Sequence, residues 1–178
     1  MASLKLLGMR AILAPIRRVR RGLTPALGPV EMYVDSLKIP VELVRLIDGG
    51  VWPSDERAAN MQNIRPLFAE AAVKNLAPEE FGIFLYPPPF HTVQHELDNS
   101  CGLTDEQYAL AEIAPTLTVP IGDFGLGSDT AIALDYRNGQ EDPAVIRLVW
   151  NLPEKPNRWQ TVSPSFAEFW NIINSGGA

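Results

Sequence analysis

Residues 121–137 read Ile-Gly-Asp-Phe-Gly-Leu-Gly-Ser-Asp-Thr-Ala-Ile-Ala-Leu-Asp-Tyr-Arg, and the fold turns on this stretch. Its first half, with Gly122, Gly125 and Gly127, is expected to form a Gly-rich loop, because glycine reaches φ > 0 without a Cβ penalty. Its second half alternates. Ile132, Leu134 and Tyr136 fall on one face and Ala131, Ala133 and Asp135 on the other, the period-two pattern of a strand. Asn138-Gly139 with Gln140, Glu141 and Asp142 then turns the chain through a loop of about five residues. A second apolar run over 144–150 completes a hairpin, which is expected to sit inside the main sheet.

Beyond the hairpin, Pro153 and Pro156 mark a connection and residues 159–162 a short strand. Ser163-Pro164 is expected to open the last helix with proline at its first position, and Phe166, Phe169, Trp170 and Ile173 form its apolar face. On the other side, Leu117, Thr118 and Val119 lead into the Gly-rich loop as a strand, and Thr104 with Gln107 predicts a capped helix reaching about Ala111. Phe90, Val93 and Leu97 mark a short helix. The apolar run 81–86 has strand length and stops at Pro87-Pro88-Pro89, which cannot donate to a ladder. Residues 54–74 predict two short helices broken near Pro66, the second presenting Leu67, Phe68, Ala71 and Ala72. Residues 36–50 predict a helix with Leu43, Leu46 and Ile47 inward, Pro40 in its first turn and Gly49-Gly50 as its stop. The expectation is a single α+β domain in which helices pack on a mainly antiparallel sheet.

Composition bounds the function. The chain has 178 residues, 46% hydrophobic and 20% charged, enough for one domain with a sizeable core. Residues 1–30 carry six basic side chains (Lys5, Arg10, Arg17, Arg18, Arg20, Arg21) and no acid. The remainder holds 9 basic residues and all 21 acids, a net charge of −12. Such a body repels nucleic acid and attracts basic proteins. The segment 1–30 reads as a flexible extension dispensable to the fold, with Met9 or Met32 as alternative starts; its acid-free, Arg-bearing composition also resembles an organelle transit peptide. One cysteine, Cys101, excludes an internal disulfide, and no apolar run approaches the roughly 18 residues of a membrane-spanning helix. Both suit a cytoplasmic protein with no membrane contact.

Few side chains suggest chemistry. His91 and His95 stand four apart, a chelating interval, but the order His-Thr-Val-Gln-His lacks the glutamate of a catalytic zinc helix. The bland reading is a pair of solvated or half-buried structural histidines. Asp123, Asp129 and Asp135 recur every six residues, but they lack the alternating oxygen ligands of a calcium loop, and loop carboxylates capping backbone N–H groups in a Gly-rich turn are the preferred reading over a cation site. Asp123-Phe124-Gly125 matches the kinase metal triplet by chance, because no phosphate loop or catalytic loop accompanies it. The glycines form no dinucleotide fingerprint, since a strand follows where a helix is required. Trp52, Trp150, Trp159 and Trp170 read as core or rim packing.

Taken in order, these pieces resemble the SUKH superfamily, which contains the yeast Smi/Knr cell-wall regulators and many bacterial immunity proteins of polymorphic toxin systems. The matching residues are Ile39-Pro40 with Gly49-Gly50 and Trp52; Leu85-Tyr86-Pro87-Pro88-Pro89-Phe90; the run 121–129 leading to Leu134-Asp135-Tyr136-Arg137; Pro143 with the strand to Trp150; and Trp159, Ser165-Phe166 and Phe169. The resemblance spans residues 36–173. It implies a SUKH-like α+β domain that binds protein, with no catalytic residue, metal or cofactor. The function it implies is that of an immunity protein which binds and neutralises a cognate toxin, often a nuclease. A scaffold of the cell-wall-regulator kind, and a small metal-dependent hydrolase using His91 and His95, are the alternatives. For the immunity reading the expected partner is a basic protein, and Asp123, Asp129 and Asp135 are the carboxylates expected to meet it.

Overall fold

The structure is a computed structural model, described here over residues 31–99, 107–125, 130–150 and 156–175. The residues 1–30, Cys101, Thr104, Asp129, Pro153 and Gly176-Gly177 lie outside that range, and so do the expectations attached to them.

Five antiparallel strands form one sheet in strict chain order: β3 (Ile83–Leu85), β4 (Thr118–Phe124), β5 (Ala131–Asp135), β6 (Ala144–Val149) and β7 (Arg158–Ser163). The expected hairpin is β5–β6, with Leu134 opposite Val145 and Asp135 opposite Ala144, at the centre of the sheet. The turn occupies residues 136–143, longer than expected, because pairing ends at Asp135. Residues 121–124 correct the loop expectation, since they are the second half of β4. Gly122 serves close approach: a Cβ there would stand 2.6 Å from the carbonyl oxygen of Phe84 on β3. The loop proper starts at Gly125 (φ 85°), and Phe124 and Thr130 close its neck with a 3.1 Å backbone bond.

A two-stranded hairpin, β1 (Tyr33–Val34) and β2 (Leu37–Lys38), stands where the start of the first helix was expected. Helix α1 therefore runs only over Val41–Asp48, with Pro40 immediately before it and Leu43, Val44 and Ile47 buried. Helices α2 (Glu56–Met61) and α3 (Glu70–Leu76) flank Pro66 as anticipated, although Leu67 and Phe68 precede α3 instead of belonging to it. Helix α4 is Val93–Asn99, and Leu110–Glu112 forms a short 3-10 turn in the region where a capped helix was expected to end. Helix α5 (Phe166–Ser175) buries Phe166, Phe169, Trp170 and Ile173. Its N-cap is Ser165, whose hydroxyl accepts from the Glu168 N–H at 3.1 Å, so Pro164 lies outside the helix.

Both sheet faces are covered. The larger core joins Val119, Ile132 and Leu134 to Leu43 and Ile47 of α1, Val73 of α3, and Phe166 and Phe169 of α5. Trp52 is packed between Phe166 and Trp170, at 6.0 and 6.1 Å between ring centroids, and its indole N–H donates to the Tyr86 carbonyl at 2.8 Å. On the opposite face Ala133 and Ile146 meet Val93, Ile113, Leu97, Tyr108, Leu110 and Trp159. Small alanines on β5 let this second layer approach closely.

The outermost strands are met by side chains. On β3 the buried Gln62 donates to the Leu85 carbonyl at 2.9 Å and accepts from the Leu85 N–H at 3.0 Å, which is the bonding pattern of a neighbouring strand. On β7 the Glu112 carboxylate accepts from the Trp159 N–H at 2.7 Å.

Candidate functional site

Of the aspartates expected to meet a partner, Asp123 and Asp135 are buried, and Asp129 lies outside the described residues. Asp123 and Asp135 both fall on the β4–β5 face that carries Ala131 and Ala133, Asp123 opposite Ala131 and Asp135 opposite Thr118. Four strand positions, about 13 Å at the usual rise, separate them. They are 9% and 3% exposed. Asp123 accepts the Tyr86 hydroxyl at 3.0 Å. Burial, and secondarily the Asp123 charge, push the Tyr86 phenol well above its ordinary value. Asp135 is held by Arg137 through the side-chain nitrogens at 2.7 to 3.0 Å and the backbone N–H at 3.1 Å, and Arg137 reaches on to the Glu112 carbonyl. Those hydrogen bonds raise the Arg137 guanidinium further above its already high value. Two of the three carboxylates, Asp123 and Asp135, thus have structural partners inside the domain. The alternation of β5 could not reveal this, because a layer formed by distant segments covers the face that a lone hairpin would leave wet.

What the surface does offer is apolar. Met61, Ile64 and Leu67 are 52%, 79% and 45% exposed. Met61 ends α2 and Ile64 and Leu67 follow it in a stretch of turns, and Met61 and Leu67 line a cleft of about 460 Å³ with Ala58, Gln62, Arg65 and Pro66. Exposed Asp55, Glu56 and Glu70 flank the segment in sequence. Beneath it Gln62 is anchored to Leu85, so the exposed residues ride on a fixed base. Sequence reasoning placed Leu67 on a buried helix face and passed over Met61 and Ile64. The available signal was three large apolar residues at spacing three, set among Asn63, Arg65 and Pro66 in a segment too interrupted to be a helix.

The histidines stand apart from this cleft. His91 precedes α4 and His95 lies within it, both exposed, beside Tyr33 and Asp35 of the first hairpin. Among the described residues no group of three or more His, Cys, Asp or Glu side chains is placed to hold a metal ion. Among the same residues, no helix is long and apolar enough to cross a membrane. Comparison of the chain with protein-family models, curated proteins and solved structures finds no significant match in any of the three.

Proposed function

We propose that this chain is a non-enzymatic protein-binding domain of the SUKH kind, acting as an immunity protein that binds and neutralises a basic toxin in the cytoplasm, with a nuclease as the leading class of target. The observation that carries the reading is the exposed apolar trio Met61, Ile64 and Leu67, of which Met61 and Leu67 line the cleft. A cluster of large apolar side chains left in water, rimmed by charged residues, is the ordinary mark of a docking surface. The net charge of −12 beyond residue 30 supplies the partner's sign. A nuclease needs a cationic cleft for phosphates, and an acidic protein is steered to such a cleft. In this reading the apolar trio provides the short-range affinity and exposed carboxylates such as Glu56 and Glu70 provide the steering.

The test is capture of the partner from the native host with the full chain, followed by binding measurements on the purified pair. A basic partner is expected, with affinity falling steeply from low to physiological salt. Ile64→Asp, a change at an exposed position, is expected to weaken binding by roughly 2 kcal/mol or more, as at an interface hot spot. An acidic partner, an affinity indifferent to salt, or full binding by Ile64→Asp would overturn the proposal.

A further inference from the structure

His91 and His95 are the only two histidines in the chain, and their rings stand face to face with centroids 4.3 Å apart and planes 15° from parallel. The backbone that carries them is fixed. Phe90, Thr92 and Val93 are buried around His91, and the Thr92 hydroxyl accepts from the His95 N–H at 3.2 Å, closing the first turn of α4. Both imidazoles open onto a cleft of about 210 Å³ that Tyr33, Asp35 and Thr92 also line.

We propose that this pair chelates a single divalent ion of the imidazole-preferring class: copper(II), nickel(II) or zinc(II). Imidazole nitrogen binds such ions at about 2.0–2.1 Å, so two nitrogens on one ion stand about 3.0–3.4 Å apart for angles between square and tetrahedral. An imidazole nitrogen binds in its own ring plane, so the near-parallel rings, 4.3 Å apart between centroids, must turn until both planes meet at the ion. χ2 is a soft torsion in histidine and both rings are exposed, so that rotation is open to them. The anchored backbone means that little further ordering is required when the ion arrives, which is the physical basis of a chelate advantage. Asp35 adds a negative charge to the cleft wall. Two imidazoles leave the ion's other coordination positions to water or further donors. Magnesium and calcium, which require oxygen donors, gain nothing from two imidazoles. The inference stands whether or not the chain binds a toxin.

The experiment is calorimetric titration of the full chain with nickel chloride, repeated with copper(II) and magnesium. One nickel ion per chain is expected, with copper bound more tightly and magnesium not at all. His91→Ala and His95→Ala are each expected to lower nickel affinity by at least about tenfold, no less than the loss of an outer partner costs at other metal sites. Cys101→Ser removes the only thiol and is expected to change nothing. Circular dichroism confirms that each variant is folded. As a second measurement, the imidazole NMR signals of both histidines should shift together and saturate at one equivalent. No binding, two independent sites of equal affinity, binding that survives either alanine substitution, or binding lost in Cys101→Ser would each overturn the proposal.

Discussion

Replacing Gln62 with alanine is expected to destabilise the domain far more than a side chain between two short helices ordinarily would. The amide is 3% exposed and makes three hydrogen bonds, to the Ala59 carbonyl at 3.1 Å, the Leu85 carbonyl at 2.9 Å and the Leu85 N–H at 3.0 Å. Truncation leaves the Leu85 N–H and carbonyl without this partner in a dry setting, at about 1–3 kcal/mol each. Freed rotamers of the glutamine offset roughly 1.5–2 kcal/mol of that in the wild type. A net loss centred on about 2 kcal/mol and reaching about 4.5 at most follows, and at about 2–4 °C per kcal/mol for a domain of this size the central value lowers the melting temperature by about 4–8 °C. Urea unfolding at neutral pH is the direct assay. Gln62→Glu sharpens it: the carboxylate can accept from the Leu85 N–H but turns an acceptor towards two carbonyls. Its folded-state pKa is therefore raised, so its deficit is full above that pKa and disappears as pH falls below the unfolded carboxyl value of about 4.3. A loss under about 1 kcal/mol for Gln62→Ala, with no recovery of Gln62→Glu in acid, would refute the claim that Gln62 acts as a substitute strand.

Three further outcomes are expected. Leu134→Ala, at a fully buried position, should cost about 2–5 kcal/mol, and a loss below 1 kcal/mol would mean that the β5 register is wrong. Gly122→Ala should cost about 1–3 kcal/mol, since its Cβ would stand 2.6 Å from the Phe84 carbonyl oxygen on β3; unchanged urea unfolding would show that the two strands separate easily. Burial raises the phenols of Tyr86 and Tyr136 above their ordinary value, so the stability they contribute is fully present below about pH 10 and is lost as pH rises beyond it. Tyrosinate absorbance should show two phenols that ionise only as the domain unfolds, and Tyr86→Phe should remove one of them; ordinary titration of both in the folded protein would contradict their burial.

The central hairpin was legible because Ile132, Leu134 and Tyr136 alternate and Asn138-Gly139 turns the chain, both purely local signals. The last helix was legible from Phe166, Phe169, Trp170 and Ile173, although its cap was misplaced by two positions because Ser165 and Ser163 both precede an apolar run. Gly122 was misread because a glycine demanded by a neighbouring backbone looks the same in sequence as a glycine demanded by φ. The β1–β2 hairpin, two residues to a strand, is too short to show any period. The site was less legible still. Asp135 looked solvent-facing until α4 and the 108–113 segment were seen to cover that side, and the spacing of His91 and His95 gave no hint of stacked rings. Contacts made across the fold leave no local period to read.

A sheet advertises unpaired hydrogen-bonding groups along its outer strands, and any extended peptide of suitable length can add itself there. This sheet meets such an approach on β3 with the Gln62 amide and on β7 with the Glu112 carboxylate. A newcomer pairing along either edge must first displace a polar side chain that already fills those bonds. Stacking copy upon copy into fibrils is opposed by the same two residues. A partner of the kind proposed would therefore meet side chains on faces and connections, such as the segment around Ile64, which can be exchanged for others without altering a single strand pairing. A lineage using this fold could drift quickly from one binding partner to another while its sheet stayed the same.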